Sequence, residues 1–167
     1  MLWRFDADTE RLVIENLRSM STEHIVYLGL GSNLGRREEA IQQAIEQIKL
    51  LIGIVDRCSS LYETKPWGFS SDHLFMNACI RCRTFLSPEE VLEATQKIEK
   101  VMGRTEKSHN GVYEDRVIDI DILLYDNLHI HTPALTIPHP YMHERDFVMK
   151  PLLEILDESD VTWMFDT

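Results

Sequence analysis

The chain contains no Gly-Lys-Ser/Thr triplet, so a Walker phosphate loop is absent and any ATP must be held by another geometry. No apolar stretch approaches the ~18 residues of a membrane-spanning helix. Residues Met1 to Met20 mix acids and bases and lack the apolar middle of a secretion signal. Basic residues are scarce: 17 Lys+Arg stand against 28 Asp+Glu, a net charge of −11, which excludes wholesale nucleic-acid binding. An acidic protein that handles phosphates must concentrate its positive charge locally or use a metal. Cysteines number only 3, and they follow no metal-ligand spacing. Cys79 and Cys82 sit in an alternating strand pattern, where i and i+3 face opposite ways, so they are expected to be reduced packing thiols in a cytoplasmic protein. No internal repeat is visible.

What remains is an ordinary globular balance, 44% hydrophobic and 27% charged over 167 residues, enough for one domain with a core. A strand is expected over His24–Leu30, leading into the turn-rich Gly29-Leu-Gly-Ser-Asn-Leu-Gly35. A helix follows from Arg36 to Ile52, with Ile41, Ala44, Ile45, Ile48 and Ile52 on one stripe and Gly53 as its stop. Ile54 to Glu63 reads as one strand. Leu74 to Phe85 alternates, with Met76, Ala78, Ile80 and Cys82 facing one way and Phe75, Asn77, Cys79, Arg81 and Arg83 the other. Ser87-Pro88-Glu89-Glu90 supplies an N-cap, a proline at the first helical position and a capping-box glutamate. That helix runs to Gly103, and a final helix is expected over Phe147–Leu156.

The densest chemical signal is Val117-Ile-Asp-Ile-Asp-Ile-Leu-Leu-Tyr125. Its β-branched residues specify a strand, with Ile118, Ile120, Ile122 and Leu124 on one face. Asp119 and Asp121 share the other, their Cα atoms roughly 6.6 Å apart. Like charges at that spacing repel, and a hard divalent cation would remove the conflict. The plain alternative is an exposed, solvated face. The order β-α-β, β-α-β predicts a ferredoxin-like α+β sandwich with a mainly antiparallel sheet and helices packed on one face. A single domain is expected over 24–167, preceded by an extension over 1–23. That extension is either poorly ordered, with Met20 as the natural start, or a short helical arm over Thr9–Arg18. Gly29-x-Gly31 with Asp56 about 20 residues on imitates a dinucleotide fingerprint, but the third glycine, Gly35, comes one place late and parallel βαβ units are missing.

Eight segments occur in order: Gly29–Gly35, Ser59-Ser-Leu-Tyr-Glu-Thr64, Pro66-Trp-Gly68, Phe75-Met-Asn77, Gly103-Arg104, Asp115-Arg-Val-Ile-Asp-Ile-Asp-Ile-Leu-Leu124, Leu135-Thr-Ile-Pro-His-Pro140, and Glu144-Arg145 with Phe147. With these segments the chain resembles the 6-hydroxymethyl-7,8-dihydropterin pyrophosphokinases of folate biosynthesis. The resemblance implies transfer of the β,γ-pyrophosphoryl group of ATP to the pterin hydroxymethyl oxygen, leaving AMP. It implies two Mg²⁺ ions held by Asp119 and Asp121. It places Arg116 and Arg104 at the phosphates, although Arg116 alone could equally pair with Glu114 or Asp115. Gln96, Glu99, Lys107, Tyr113, Thr136, His139 and Arg145 match positions at the nucleotide. Thr64, Lys65 and Trp67 match a loop giving the pterin mainly backbone contacts. Phe75 and Phe147 match the rings that sandwich the pterin, and Asn77 the residue that bonds it. An amide offers both donor and acceptor to the pyrimidinone edge.

The chain departs from the common pattern before the aspartate strand. Many relatives have Trp-Gly-Pro-Arg there, after an arginine-rich loop; here stand Tyr113-Glu114-Asp115-Arg116, and within the loop Thr105–Glu114 that follows Arg104, Lys107 is the sole certain cation. The loop Thr105–Glu114 is expected to close over ATP. Partners are therefore expected to be ATP and the pterin, with no nucleic acid and no membrane. The competing expectations are a non-catalytic pterin-binding module and a metal-dependent phosphohydrolase using the same carboxylates.

Overall fold

A computed structural model describes residues 4, 6–20, 22–66, 72–103 and 117–164. The elements are α1 (Ala7–Met20), β1 (His24–Ser32), α2 (Arg37–Leu51), β2 (Gly53–Cys58), β3 (Tyr62–Thr64), β4 (Phe75–Thr84), α3 (Pro88–Val101), β5 (Asp119–Tyr125), β6 (Ile130–His131), β7 (Thr136–Ile137) and α4 (Asp146–Ile155). The main sheet runs β2-β4-β1-β5, with β3 continuing beside β4, and every pairing is antiparallel. Two βαβ units interleaved in this order are the ferredoxin-like arrangement expected from the sequence.

Local chemistry accounts for the elements. Ser87 opens α3 as its N-cap, its Oγ accepting from the Glu90 N–H at 3.2 Å while the Glu90 carboxylate accepts from the Ser87 N–H at 3.0 Å. Ile41, Ala44, Ile45 and Ile48 of α2, with Val91 and Ile98 of α3, bury the stripe read from periodicity. They pack on Val26, Leu28, Leu30, Met76, Ala78, Ile80, Cys82, Ile118, Ile120 and Ile122 from one sheet face. Burying one such side chain is worth about 1.5–3 kcal/mol, so this layer is the main source of stability.

The structure corrects the expected strands at four places. Helices cover both faces of the sheet, not one: Val148, Leu152 and Ile155 of α4 pack with Tyr27, Cys79, Leu123 and Leu124 on the second face. Leu124 therefore belongs to the second face, because the β1–β5 register shifts between Tyr27 and Leu28 and a bulge reverses the alternation after Leu123. The run Ile54–Glu63 breaks into β2 and β3 around Ser59, whose hydroxyl accepts from the Cys79 N–H at 2.8 Å. Gly53 does not stop α2 through a left-handed conformation. It starts β2, where a Cβ would lie 2.0 Å from the Arg83 carbonyl oxygen, so close strand approach demands glycine. Among the described residues no helix is long and apolar enough to cross a membrane.

Candidate active site

The second face of the sheet carries the two aspartates and Asn77. Pairing places Asn77, Gly31 and Asp119 in one row across β4, β1 and β5, and Cys79, Gly29 and Asp121 in the next. Directly paired residues of an antiparallel sheet point the same way, and two strand spacings put Asn77 and Asp119 about 10 Å apart. Of the two β1 glycines, Gly31 is the one with tight surroundings, and Gly29 has room for ordinary contact. A Cβ on Gly31 would meet Asn77 Oδ1 at 3.2 Å and Phe75 Cδ1 at 3.5 Å; one on Gly29 would meet Leu123 Cδ2 at 3.4 Å. Missing side chains on the central strand thus let flanking groups lean over it.

On one side of this strip stands Asn77, only 5% exposed. Its Nδ2 donates to Thr64 Oγ1 at 2.7 Å and to the Tyr62 carbonyl at 3.4 Å. With the amide nitrogen held on β3, Asn77 Oδ1 lies over Gly31 beside the Phe75 ring. Thr64 thus orients Asn77 through its side chain. Lys65, directly after it, is exposed.

Asp119 and Asp121 occupy the other side, both partly exposed on the same face. His139 comes beside them: its Nε2 lies 3.9 Å from Asp121 Oδ1, and its backbone N–H donates to the Leu123 carbonyl at 3.0 Å. Thr136, in β7, pairs with His131. Gln96 and Glu99 do not share an environment. Gln96 is exposed, while Glu99 is 3% exposed and accepts from the Ile120 N–H at 2.9 Å, bracing the strand between the two aspartates. Arg145 precedes α4 and is 5% exposed, its guanidinium carbon 5.8 Å from the Phe147 ring centroid and 5.9 Å from that of Tyr141. Arg104, Lys107, Tyr113, Arg116, Trp67 and the loop Thr105–Glu114 lie outside the described residues.

The donor set fits a hard cation. Mg²⁺ uses one or two carboxylates and completes its shell with water and substrate phosphates. Asp119 and Asp121 supply two such carboxylates, partly exposed on one face, and no group of three or more His, Cys, Asp or Glu side chains that could hold a metal occurs among the described residues. Burial pushes the Cys79 thiol, in the row with Gly29 and Asp121, well up and that of Cys82, on the opposite face, up to about 12, which disfavours the thiolate in both.

The fold is a ferredoxin-like α+β sandwich, and one face of its sheet carries two aspartates beside an amide and a phenylalanine. The family model described as 7,8-dihydro-6-hydroxymethylpterin-pyrophosphokinase (HPPK) matches residues 27–157. A 2-amino-4-hydroxy-6-hydroxymethyldihydropteridine pyrophosphokinase of Porphyromonas gingivalis is 48% identical over 132 residues, which are 78% of this chain and 90% of that protein. One of the same name from Bacillus subtilis is 41% identical over 138 residues, covering 82% and 81%. The chain belongs to the HPPK family. Among solved structures, Plasmodium falciparum HPPK-DHPS with pteroate aligns with a TM-score of 0.65 at 16% identity, over 83% of this chain and 42% of that one, and supports the fold alone.

Proposed function

We propose that the protein transfers the β,γ-pyrophosphoryl group of ATP to the hydroxymethyl oxygen of 6-hydroxymethyl-7,8-dihydropterin. A bond forms between that oxygen and the β-phosphorus, the α–β bridge breaks, AMP leaves, and the hydroxyl proton passes to solvent. The observation that supports this reading is the register Asn77–Gly31–Asp119, with Asp121 in the next row: an amide and two carboxylates share one face of one sheet. Membership of the HPPK family supports the reaction class.

Each residue's part follows from its chemistry. Asn77 presents Oδ1 to the pterin edge because Thr64 and β3 hold its nitrogen. Phe75 and Phe147 offer the faces for a flat ring. Asp119 and Asp121 would hold Mg²⁺, two ions by family resemblance, and when bound these supply the positive charge that screens the triphosphate and stabilises the transferring group. His139, Thr136 and Arg145 serve the nucleotide, as do Gln96, Lys107 and Tyr113; Arg104 and Arg116 offer planar forks for phosphate oxygens. Glu99 acts through the strand, bonding the Ile120 N–H. Lys65 and Trp67 belong to the pterin loop. Catalysis by such a set is positioning and electrostatics, and no side chain is required as a strong base.

Residues 24–167 constitute the pyrophosphokinase domain, with 1–23 an extension. Free thiols at Cys58, Cys79 and Cys82 suit a reducing cytoplasm. The test is product analysis with ATP, Mg²⁺ and the pterin. AMP formed only when pterin is present is the expected result. ADP, or phosphate released without pterin, would refute the assignment in favour of a kinase or hydrolase.

A further inference from the structure

We propose that Glu154, in the last turn of α4, is a positioning residue for the pterin slot. Its carboxylate reaches the corner between β2 and β3. There it accepts from the Ser60 N–H at 3.1 and 3.0 Å, from the Ser60 hydroxyl at 2.6 Å, and from the Tyr62 hydroxyl at 2.8 Å. Bonds to a charged carboxylate are about twice as strong as neutral ones, and here three donors converge on one group. These bonds hold the Glu154 carboxyl below its ordinary pKa and push the Tyr62 hydroxyl up.

The strand so anchored needs anchoring. β3 has 3 residues and, among the described residues, pairs with β4 alone, through Tyr62↔Asn77, Glu63↔Met76 and Thr64↔Phe75. A strand that short is marginal by itself. Yet Thr64 Oγ1 and the Tyr62 carbonyl are the two acceptors that orient the Asn77 amide. The chain of contacts is therefore Glu154 to Ser60 and Tyr62, β3 to Asn77, and Asn77 to the ring edge.

The same helix carries Phe147 in its first turn. Phe147 and Glu154 are about 10 Å apart along the axis. One rigid element thus sets both a face of the slot and, through Glu154, the edge that reads the pterin. A shift of α4 would move the two together.

This inference rests on the pyrophosphokinase reading, so the experiment begins with the wild-type protein. Failure of the wild type to bind the pterin beside a non-hydrolysable ATP analogue would refute that reading and the inference with it. Given wild-type activity, Glu154→Ala should raise the pterin KM on the order of tenfold while the ATP KM stays within about twofold and kcat falls little. Glu154→Gln keeps one acceptor oxygen and should recover most of the affinity. Tyr62→Phe removes a single hydroxyl and should show a smaller, pterin-selective rise; it carries the test if Glu154→Ala does not fold. An unchanged pterin KM, an equal rise for both substrates, or no recovery in Glu154→Gln would each overturn the proposal.

Discussion

Gly31→Ala is the most informative single perturbation, because one methyl group separates slot geometry from carboxylate chemistry. Its Cβ would sit 3.2 Å from Asn77 Oδ1 and 3.5 Å from Phe75 Cδ1. Comfortable contacts begin near ~3.5 Å, so Asn77 must yield by a few tenths of an ångström. It cannot do so freely, since its Nδ2 is tied to Thr64 Oγ1 at 2.7 Å. Loosening that hydrogen bond costs about 1 kcal/mol, and overpacking adds up to roughly 1 kcal/mol more, the low end of its range. If the loss falls on binding, pterin affinity drops about 5–30-fold. Gly31 has no positive φ, so alanine adds no left-handed strain and the fold should persist. Titration of a pterin analogue in the presence of an ATP analogue, beside nucleotide binding alone, is the assay. Unchanged pterin affinity, or an equal fall in nucleotide affinity, would refute the placement of Asn77 and Phe75 at the pterin.

Other outcomes follow from the same structure. Asp119→Asn and Asp121→Asn should each reduce turnover by about 10²-fold or more with native circular dichroism, as expected for loss of a metal-holding charge; wild-type rates in either would overturn the metal assignment. Gly53→Ala should cost about 3 kcal/mol or more by urea unfolding, since its Cβ would meet the Arg83 carbonyl oxygen at 2.0 Å. A thiol reagent should label Cys58, the exposed one, and spare Cys79 and Cys82 until unfolding; rapid labelling of all three would contradict the packing of β4. Glu90 and Glu154 are held below the ordinary 4.5, and Asp157 below 3.8, by their hydrogen bonds. The unfolded chain then binds protons first, so this stabilisation is complete above those ordinary values and is lost as pH falls through the lowered folded ones. A stability profile rising on acidification would refute the sign.

Alternation was enough to place Asp119 and Asp121 on one face and Ile118, Ile120 and Ile122 on the other, because a half-buried strand enforces a period of two. It failed at Leu124, where the bulge against β1 adds a residue that no local pattern signals. Capping chemistry marked the start of α3 to the residue. The helix over α4 was legible as an apolar stripe, but the sheet face it covers was not, since packing partners are non-local. Nor was the approach of His139 to Asp121, which depends on its backbone bond to the Leu123 carbonyl. Glu99 reads as a surface glutamate by composition; its bond from the Ile120 N–H, set by the packing of α3 on β5, was not legible. The anchoring of Asn77 by Thr64 joins residues 13 apart in sequence and needed the β3–β4 register to be seen.

The most direct test of the central claim follows the β-phosphorus. With ATP labelled at the β position, Mg²⁺ and 6-hydroxymethyl-7,8-dihydropterin, the label should leave the nucleotide and appear wholly in the pterin product, with unlabelled AMP released. Label retained in ADP, or found in free pyrophosphate without pterin, would contradict pyrophosphoryl transfer by this site.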